Sequence, residues 1–207
     1  MSQNKSYLFF YIIILAGLIG HFSVQLFDTM LIITPVVLFL MGILIVWISG
    51  SLKSKKFIIW FVLMYLFTLM VEIIGVQSGR IFGEYIYGYI LGLKIYGVPV
   101  IIGFNWVLVI LGAVSIALKF NDDIFMICLL SSLMAVLFDT VLEPVAIKFG
   151  YWQWRGEEIP AQNYIAWLII SFIISYGLIR FKVDFNSKAF IHYYIGLLLF
   201  FFILNFK

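Results

Sequence analysis

A chain of 207 residues that is 65% hydrophobic, only 11% charged and +3 in formal net charge cannot hide its apolar surface in a water-soluble fold, since ordinary soluble domains are about half apolar and about a quarter charged. Lipid must be the solvent for most of it; at ~20 apolar residues per crossing, this length allows roughly six to eight spans and leaves no soluble domain. The thinly spread positive charge contains no run suited to nucleic acid, and a single cysteine, Cys128 within an apolar stretch, excludes a disulfide framework and a thiolate metal site.

Taken in chain order, the apolar runs fall at about 7–25, 29–48, 57–76, 98–118, 124–146, 161–179 and 189–206. A backbone in lipid must satisfy its own hydrogen bonds, so each run predicts a helix. The expected fold is all-α, a polytopic membrane bundle of about seven transmembrane helices forming one transmembrane domain over 1–207. The first run follows Lys5 in the manner of a secretory signal, but a second run begins within a few residues and favours a retained helix. His21 and Gln25 end the first helix, and Asp28 opens the second. Lys53, Lys55 and Lys56 follow the second run and read as a topology signal. With seven spans, the N-terminal side carries eight basic residues (Lys5, the three lysines just named, Lys119, Arg180, Lys182 and Lys188) against five on the other (Arg80, Lys94, Lys148, Arg155 and Lys207). That bias predicts a cytoplasmic N-terminus, in an integral protein of the bacterial cytoplasmic membrane.

Two connections are long, about 77–97 and 147–160, and both lie on the outer side. The first has glycines at 79, 83, 88, 92 and 97 and aromatics at 82, 85, 87, 89 and 96. It is too apolar for a solvated loop and too rich in glycine for a good helix, which predicts a re-entrant or interfacial segment near 77–97. An aromatic belt at the headgroups accounts for the same residues.

Ionisable groups within spans are expensive and point to function. Glu72 lies near the outer end of the third helix, Asn105 on the fourth, and Asp139 and Glu143 on the fifth, four residues apart and so on one face. Glu72 and Glu143 each stand seven residues before a glycine, Gly79 and Gly150, so both sit roughly 10 Å below the outer interface. Asn105 reaches the same level, and Asp139 is one turn deeper. Thr68, Gly75 and Gly79 share the Glu72 face, a small-residue stripe suited to close helix approach. Pro144 removes a backbone donor beside Asp139 and Glu143. A polar pocket displaced toward the outer face, above an apolar floor, is the result. The exit of the third helix is echoed by that of the fifth, where Gly150 precedes Tyr151, Trp152 and Trp154.

Three linked motifs carry a resemblance. Glu72-x2-Gly75-x3-Gly79-x2-Phe82-Gly83-x-Tyr85-x-Tyr87, then Gly97-Val98-Pro99-x5-Asn105-Trp106, then Asp139-x3-Glu143-Pro144-Val145-Ala146 with Gly150-Tyr151-Trp152-x-Trp154 together resemble the membrane carotenoid biosynthesis protein family, which contains the CruF-type carotenoid 1,2-hydratases and the bisanhydrobacterioruberin hydratases. The resemblance covers about residues 60 to 155; Ser78 stands where the family suggests threonine, and the chain is compact beside longer members. It implies addition of water to the terminal double bond of an acyclic carotenoid such as lycopene, with no redox cofactor and no metal. The partners implied are a lipophilic carotenoid and membrane lipid, with other carotenoid-pathway enzymes as further candidates and the oligomeric state open.

Hydrating a trisubstituted alkene needs a proton at C2 and water at C1. A carboxyl in an apolar surround stays protonated and ready to donate. Asp139, the deepest, is the expected general acid. Glu143 or Glu72 holds and deprotonates the water, in exchangeable roles, and Asn105 orients it, since an amide offers both donor and acceptor. Tyr85, Tyr87, Trp106, Trp152 and Trp154 can face the cationic intermediate, each worth ~0.5–2 kcal/mol. Arg80 is expected to pair with Glu72 or Glu84. The competing readings are a lycopene cyclase-type enzyme, which uses the same acid but excludes water, and a proton-coupled transporter, which should place polar groups through both halves of the bilayer.

Overall fold

Hydropathy marks where lipid touches the chain, but local caps decide where each helix begins and ends. The computed structural model describes residues 3–156, 158–185 and 187–207. Its elements run α1 (Gln3–Phe22), α2 (Phe27–Ser49), α3 (Lys55–Ser78), β1 (Tyr85–Tyr87), β2 (Lys94–Ile95), β3 (Val98–Pro99), α4 (Val100–Ala117), α5 (Ile124–Lys148), β4 (Trp152–Trp154), α6 (Ala161–Arg180) and α7 (Ser187–Leu204). Ser54 starts α3 by accepting from the Phe57 amide at 3.3 Å, and Gly79, at φ 64°, ends it in the left-handed conformation that glycine adopts freely. Asp123 caps α5 through the Met126 amide at 2.9 Å. That helix runs on through Pro144, which removes the amide that the Thr140 carbonyl would use.

Six of the helices are long and apolar enough to cross a bilayer. The seventh is shorter: the apolar stretch Lys188–Leu204 rises about 26 Å, against a hydrocarbon core of about 30 Å. The chain is an integral membrane protein built as an all-α bundle. At its centre is α4, fourteen of whose eighteen residues are buried and which touches α2, α3, α5, α6 and α7. Its neighbours bury one face only. On α3, Ile59, Leu63, Leu66 and Met70 are exposed along one stripe, while Thr68, Leu69, Glu72 and Gly75 turn inward. Thr68 Oγ donates to the Gly103 carbonyl on α4 at 3.1 Å. A Cβ at Gly103 would meet that hydroxyl at 3.0 Å and the Leu69 nitrogen at 3.1 Å, so a small residue is what lets the two backbones approach.

The connection from 79 to 99 is non-helical throughout, as its glycines suggest, but it contains strands that the sequence did not announce. β2 and β3 form a hairpin pairing Lys94 with Pro99 and Ile95 with Val98. Its two turn residues, Tyr96 and Gly97, both have positive φ, the mark of a tight hairpin turn whose twist suits the strands. β1 instead pairs with β4 from the other long connection, in antiparallel register Tyr85 to Trp154, Ile86 to Gln153 and Tyr87 to Trp152. The Gly88 amide extends this ladder to the Tyr151 carbonyl at 2.8 Å, and the Arg155 amide extends it to the Glu84 carbonyl at 2.9 Å. The two loops thus form one cap over the end of the bundle where α3 and α5 finish.

Candidate functional site: a carboxyl chamber beneath the cap

Alternation along the paired strands decides what the cap presents to the helices. Ile86 and Gln153 face outward, while Tyr85, Tyr87 and Trp152 are buried on the other side of the ladder. The two inward tyrosines converge on α3: both phenols donate to Glu72 Oε2, Tyr87 at 2.8 Å. The two tryptophans converge on α5, where Trp152 Nε1 donates to Glu143 Oε2 at 3.0 Å and Trp154 Nε1 at 2.9 Å. The echo between the helix exits is therefore physical. Each helix ends one turn or two above its glutamate at a glycine of positive φ, Gly79 or Gly150, and each following loop returns two aromatic donors to that glutamate.

Asp139 has a different partner. Asn163, on the first turn of α6, donates from Nδ2 to Asp139 Oδ2 at 2.6 Å and, more weakly, to Glu143 Oε1 at 3.4 Å. Glu72, Asp139 and Glu143 are each only 2% exposed, and Asn163 3%. Asn105 Oδ1 accepts from Tyr193 Oη of α7 at 2.8 Å. Burial, reinforced by the charge of Glu72, holds the Tyr85 and Tyr87 phenols well above their ordinary range, so they remain donors. Burial also pushes Tyr151 up to about 12.

These groups surround one cavity, lined by Glu72, Tyr85, Tyr87, Asn105, Trp106, Asp139, Glu143, Trp152, Trp154 and Asn163 together with apolar side chains from α2, α4, α5 and α7. Trp106 stacks on Trp167 of α6 with ring centroids 3.6 Å apart, and Phe82 also stacks on Trp167, seated where a Cβ on Gly75 would collide with it. Among the described residues, no Lys, Arg or His lines the chamber. Several negative charges without a cation would repel strongly in so apolar a space, an arrangement suited to holding protons. Above it, a second pocket is lined by residues 76–79, 84–86 and 153–155. Tyr85 and Trp154 belong to the walls of both, so they stand between the chamber and the exposed face of the cap.

Nine of the ten residues singled out from the sequence therefore meet around this chamber; Arg80 does not. Its side chain is exposed, Glu72 is occupied by the two tyrosines, and the ion pair to Glu84 is made by Arg155. The Arg80 carbonyl accepts from Gln162 Nε2. A guanidinium reaches water from this position at far less cost than it would enter an apolar chamber. Asn163 and Trp167 escaped the sequence reading. Asn163 follows Pro160 and Gln162 at the start of a span and reads there as an ordinary interfacial amide. Among the described residues, no cluster of three or more His, Cys, Asp or Glu is arranged to hold a metal ion.

Comparison with known proteins adds a family and a relative. A family model described as "Carotenoid biosynthesis protein" matches residues 29–206. The chain is 34% identical over 113 residues to a bisanhydrobacterioruberin hydratase from Haloarcula japonica, a match covering 50% of this chain and 38% of that protein. The match thus spans well under half the length of the relative. No solved structure matches.

Proposed function

The chain belongs to the carotenoid biosynthesis protein family, and from that membership we propose that its carboxyl chamber adds water to the terminal C1–C2 double bond of an acyclic carotenoid. The observation that carries this reading is the grouping of three buried carboxyls, each with a different set of donors, in one aromatic-walled cavity. Asp139 receives a single amide hydrogen bond among apolar neighbours and is the proton donor. The C1–C2 π pair takes that proton at C2 and leaves a tertiary cation at C1. A water lone pair then closes the C1–O bond, and the surplus proton passes to a carboxylate. Glu143 is the better base. Its Oε2 is served by two indole N–H groups, which donate but never accept, so that oxygen is held as an acceptor. Asn163 donates to both Asp139 and Glu143 and so holds side by side the base that takes the proton and the acid to which a water must return it.

The stacked Trp106 and Trp167, with Tyr85, Tyr87, Trp152 and Trp154, offer electron-rich faces to the cation without a nucleophile that would trap it. Water enters through the outer pocket, past Tyr85 and Trp154. This access favours hydration over cyclisation, which requires a dry cation. The hydratase among the relatives supports the same choice. Acid, base and water-holding groups all come from the chain, so the reading calls for no cofactor.

Expression in a lycopene-accumulating host tests it. The expected product is heavier than its precursor by one water per end group hydrated. An isomer of unchanged mass would establish cyclisation instead, and unaltered pigment would remove both activities on this substrate.

A further inference from the structure

A polyene is a long rigid rod, and the carboxyl chamber has room for only its reacting end. The rest must leave through an apolar opening. Next to the chamber lies another cavity, walled by α1, α2 and α7. Leu38, Leu197 and Phe201 line both cavities, so three side chains form the boundary between them. At its outer edge the second cavity reaches Ala16 of α1 and Ile33 of α2, which are exposed on the surface of a chain that sits in lipid. It is therefore divided from the chamber by those three side chains alone and borders the hydrocarbon on its other side.

One wall residue is out of place in an apolar passage. His21 is 3% exposed and stacks on Phe149 with an interplanar angle of 9°. Its Nδ1 donates to the Gly17 carbonyl at 2.7 Å. A neutral imidazole bonded in this way presents Nε2 as an acceptor, and that buried atom has no partner among the described residues. A buried polar atom without a partner is costly, and a hydrogen-bond donor relieves it; on a polyene that donor is a hydroxyl.

We propose that the α1–α2–α7 cavity binds the polyene chain of the substrate whose end group lies among the carboxyls, and that His21 Nε2 accepts a hydrogen bond from a hydroxyl borne on that chain. The proposal rests on the carotenoid reading above and adds to it a passage to lipid and a preference for hydroxylated substrates.

The test uses binding alone. The full chain in lipid nanodiscs is titrated with two polyenes whose end groups are saturated and cannot react, one a plain hydrocarbon and one carrying a single tertiary hydroxyl, and the shift in visible absorption is followed. Val37 lines the cavity, and Val37→Trp should weaken both polyenes at least tenfold. Leu40→Trp, on the same helix at a position 58% exposed, should leave both unchanged. His21→Phe keeps the stacked ring and should weaken the hydroxylated polyene about five- to tenfold with little effect on the hydrocarbon. Wild-type affinity in Val37→Trp, equal losses in Leu40→Trp, or no polyene binding by the unmodified protein would each overturn the passage. An unchanged preference in His21→Phe would overturn the hydroxyl contact. A protein that binds these unreactive polyenes as expected, yet leaves lycopene unaltered, would uphold the passage and sink the hydration.

Discussion

Glu72 and Glu143 lie at matching depth and both are buried, yet their hydrogen bonds differ in kind. Indole N–H groups only donate, whereas a phenol can donate or accept, so Glu143 is committed to accepting from its cap while Glu72 can share a proton with Tyr85 or Tyr87. That difference separates roles that depth left interchangeable. Asp139→Asn should lower hydration by ~10²-fold or more, the usual scale for a general acid, with the protein still expressed and monodisperse; wild-type turnover would remove Asp139 as the acid. Glu143→Gln should cost a similar factor and Glu72→Gln less than tenfold, both measured as turnover in membranes, and the reverse order would give the base role to Glu72. Asn163→Leu removes the side-chain donor that Asp139 has among the described residues. It should slow turnover roughly ten- to hundredfold at unchanged KM. The carboxyls were legible in the sequence because an ionisable group within an apolar run has few innocent explanations. Asn163 was not, because an amide beside a loop has many, and only its contact with Asp139 separates them.

Among the elements, the helices were legible and the cap was not, for one physical reason. A spanning helix satisfies its backbone within its own segment, so its signal is local. β1 and β4 are three residues each and pair across more than sixty residues of sequence, so neither is a strand without the other. In hindsight their trace is the alternation Tyr-x-Tyr and Trp-x-Trp, a period of two that points the aromatics to one side. The re-entrant expectation for 77–97 was right in denying a helix there, but it could not foresee that the segment would pair with the other long loop. Close approach within the cap makes it sensitive to small additions. A Cβ on Gly88 would run into the Gly150 carbonyl, so Gly88→Ala should cost about 1–3 kcal/mol. The expected readout is a Tm lower by several degrees in detergent, followed by tryptophan fluorescence. Activity should fall with it, since the shift separates the tyrosine pair from the tryptophan pair. An unchanged Tm would mean that the two loops can part without loss.

For the whole molecule, polarity is divided between the two ends. The carboxyls, the cap and the outer pocket share the end where α3 and α5 finish, and the larger share of the basic residues lies at the other. We propose that the basic end faces the cytoplasm, by the positive-inside rule. Single cysteines placed in the Cys128→Ser background report this directly: a thiol at Gln153, in the cap, should react with an impermeant maleimide in intact cells, and one at Lys55 should react only after lysis. The opposite pattern would invert the topology. The gathering of the buried carboxyls toward one end, with serines such as Ser131 and Ser175 and the Tyr11–His192 pair toward the other, also speaks against transport, since a proton path would need carboxyls in both halves.

The glutamates and their donors are close neighbours along the chain: Tyr85 follows Glu72 by thirteen residues, and Trp152 follows Glu143 by nine. This spacing bears on how the protein is made. Each glutamate lies on a helix whose very next loop carries its donors, but those tyrosines and tryptophans face inward only once β1 and β4 have paired, so the two glutamates are satisfied together, when the cap closes. The turn at residues 118–123, between α4 and α5, is then a seam: a chain divided there should regain activity only when both halves are made together.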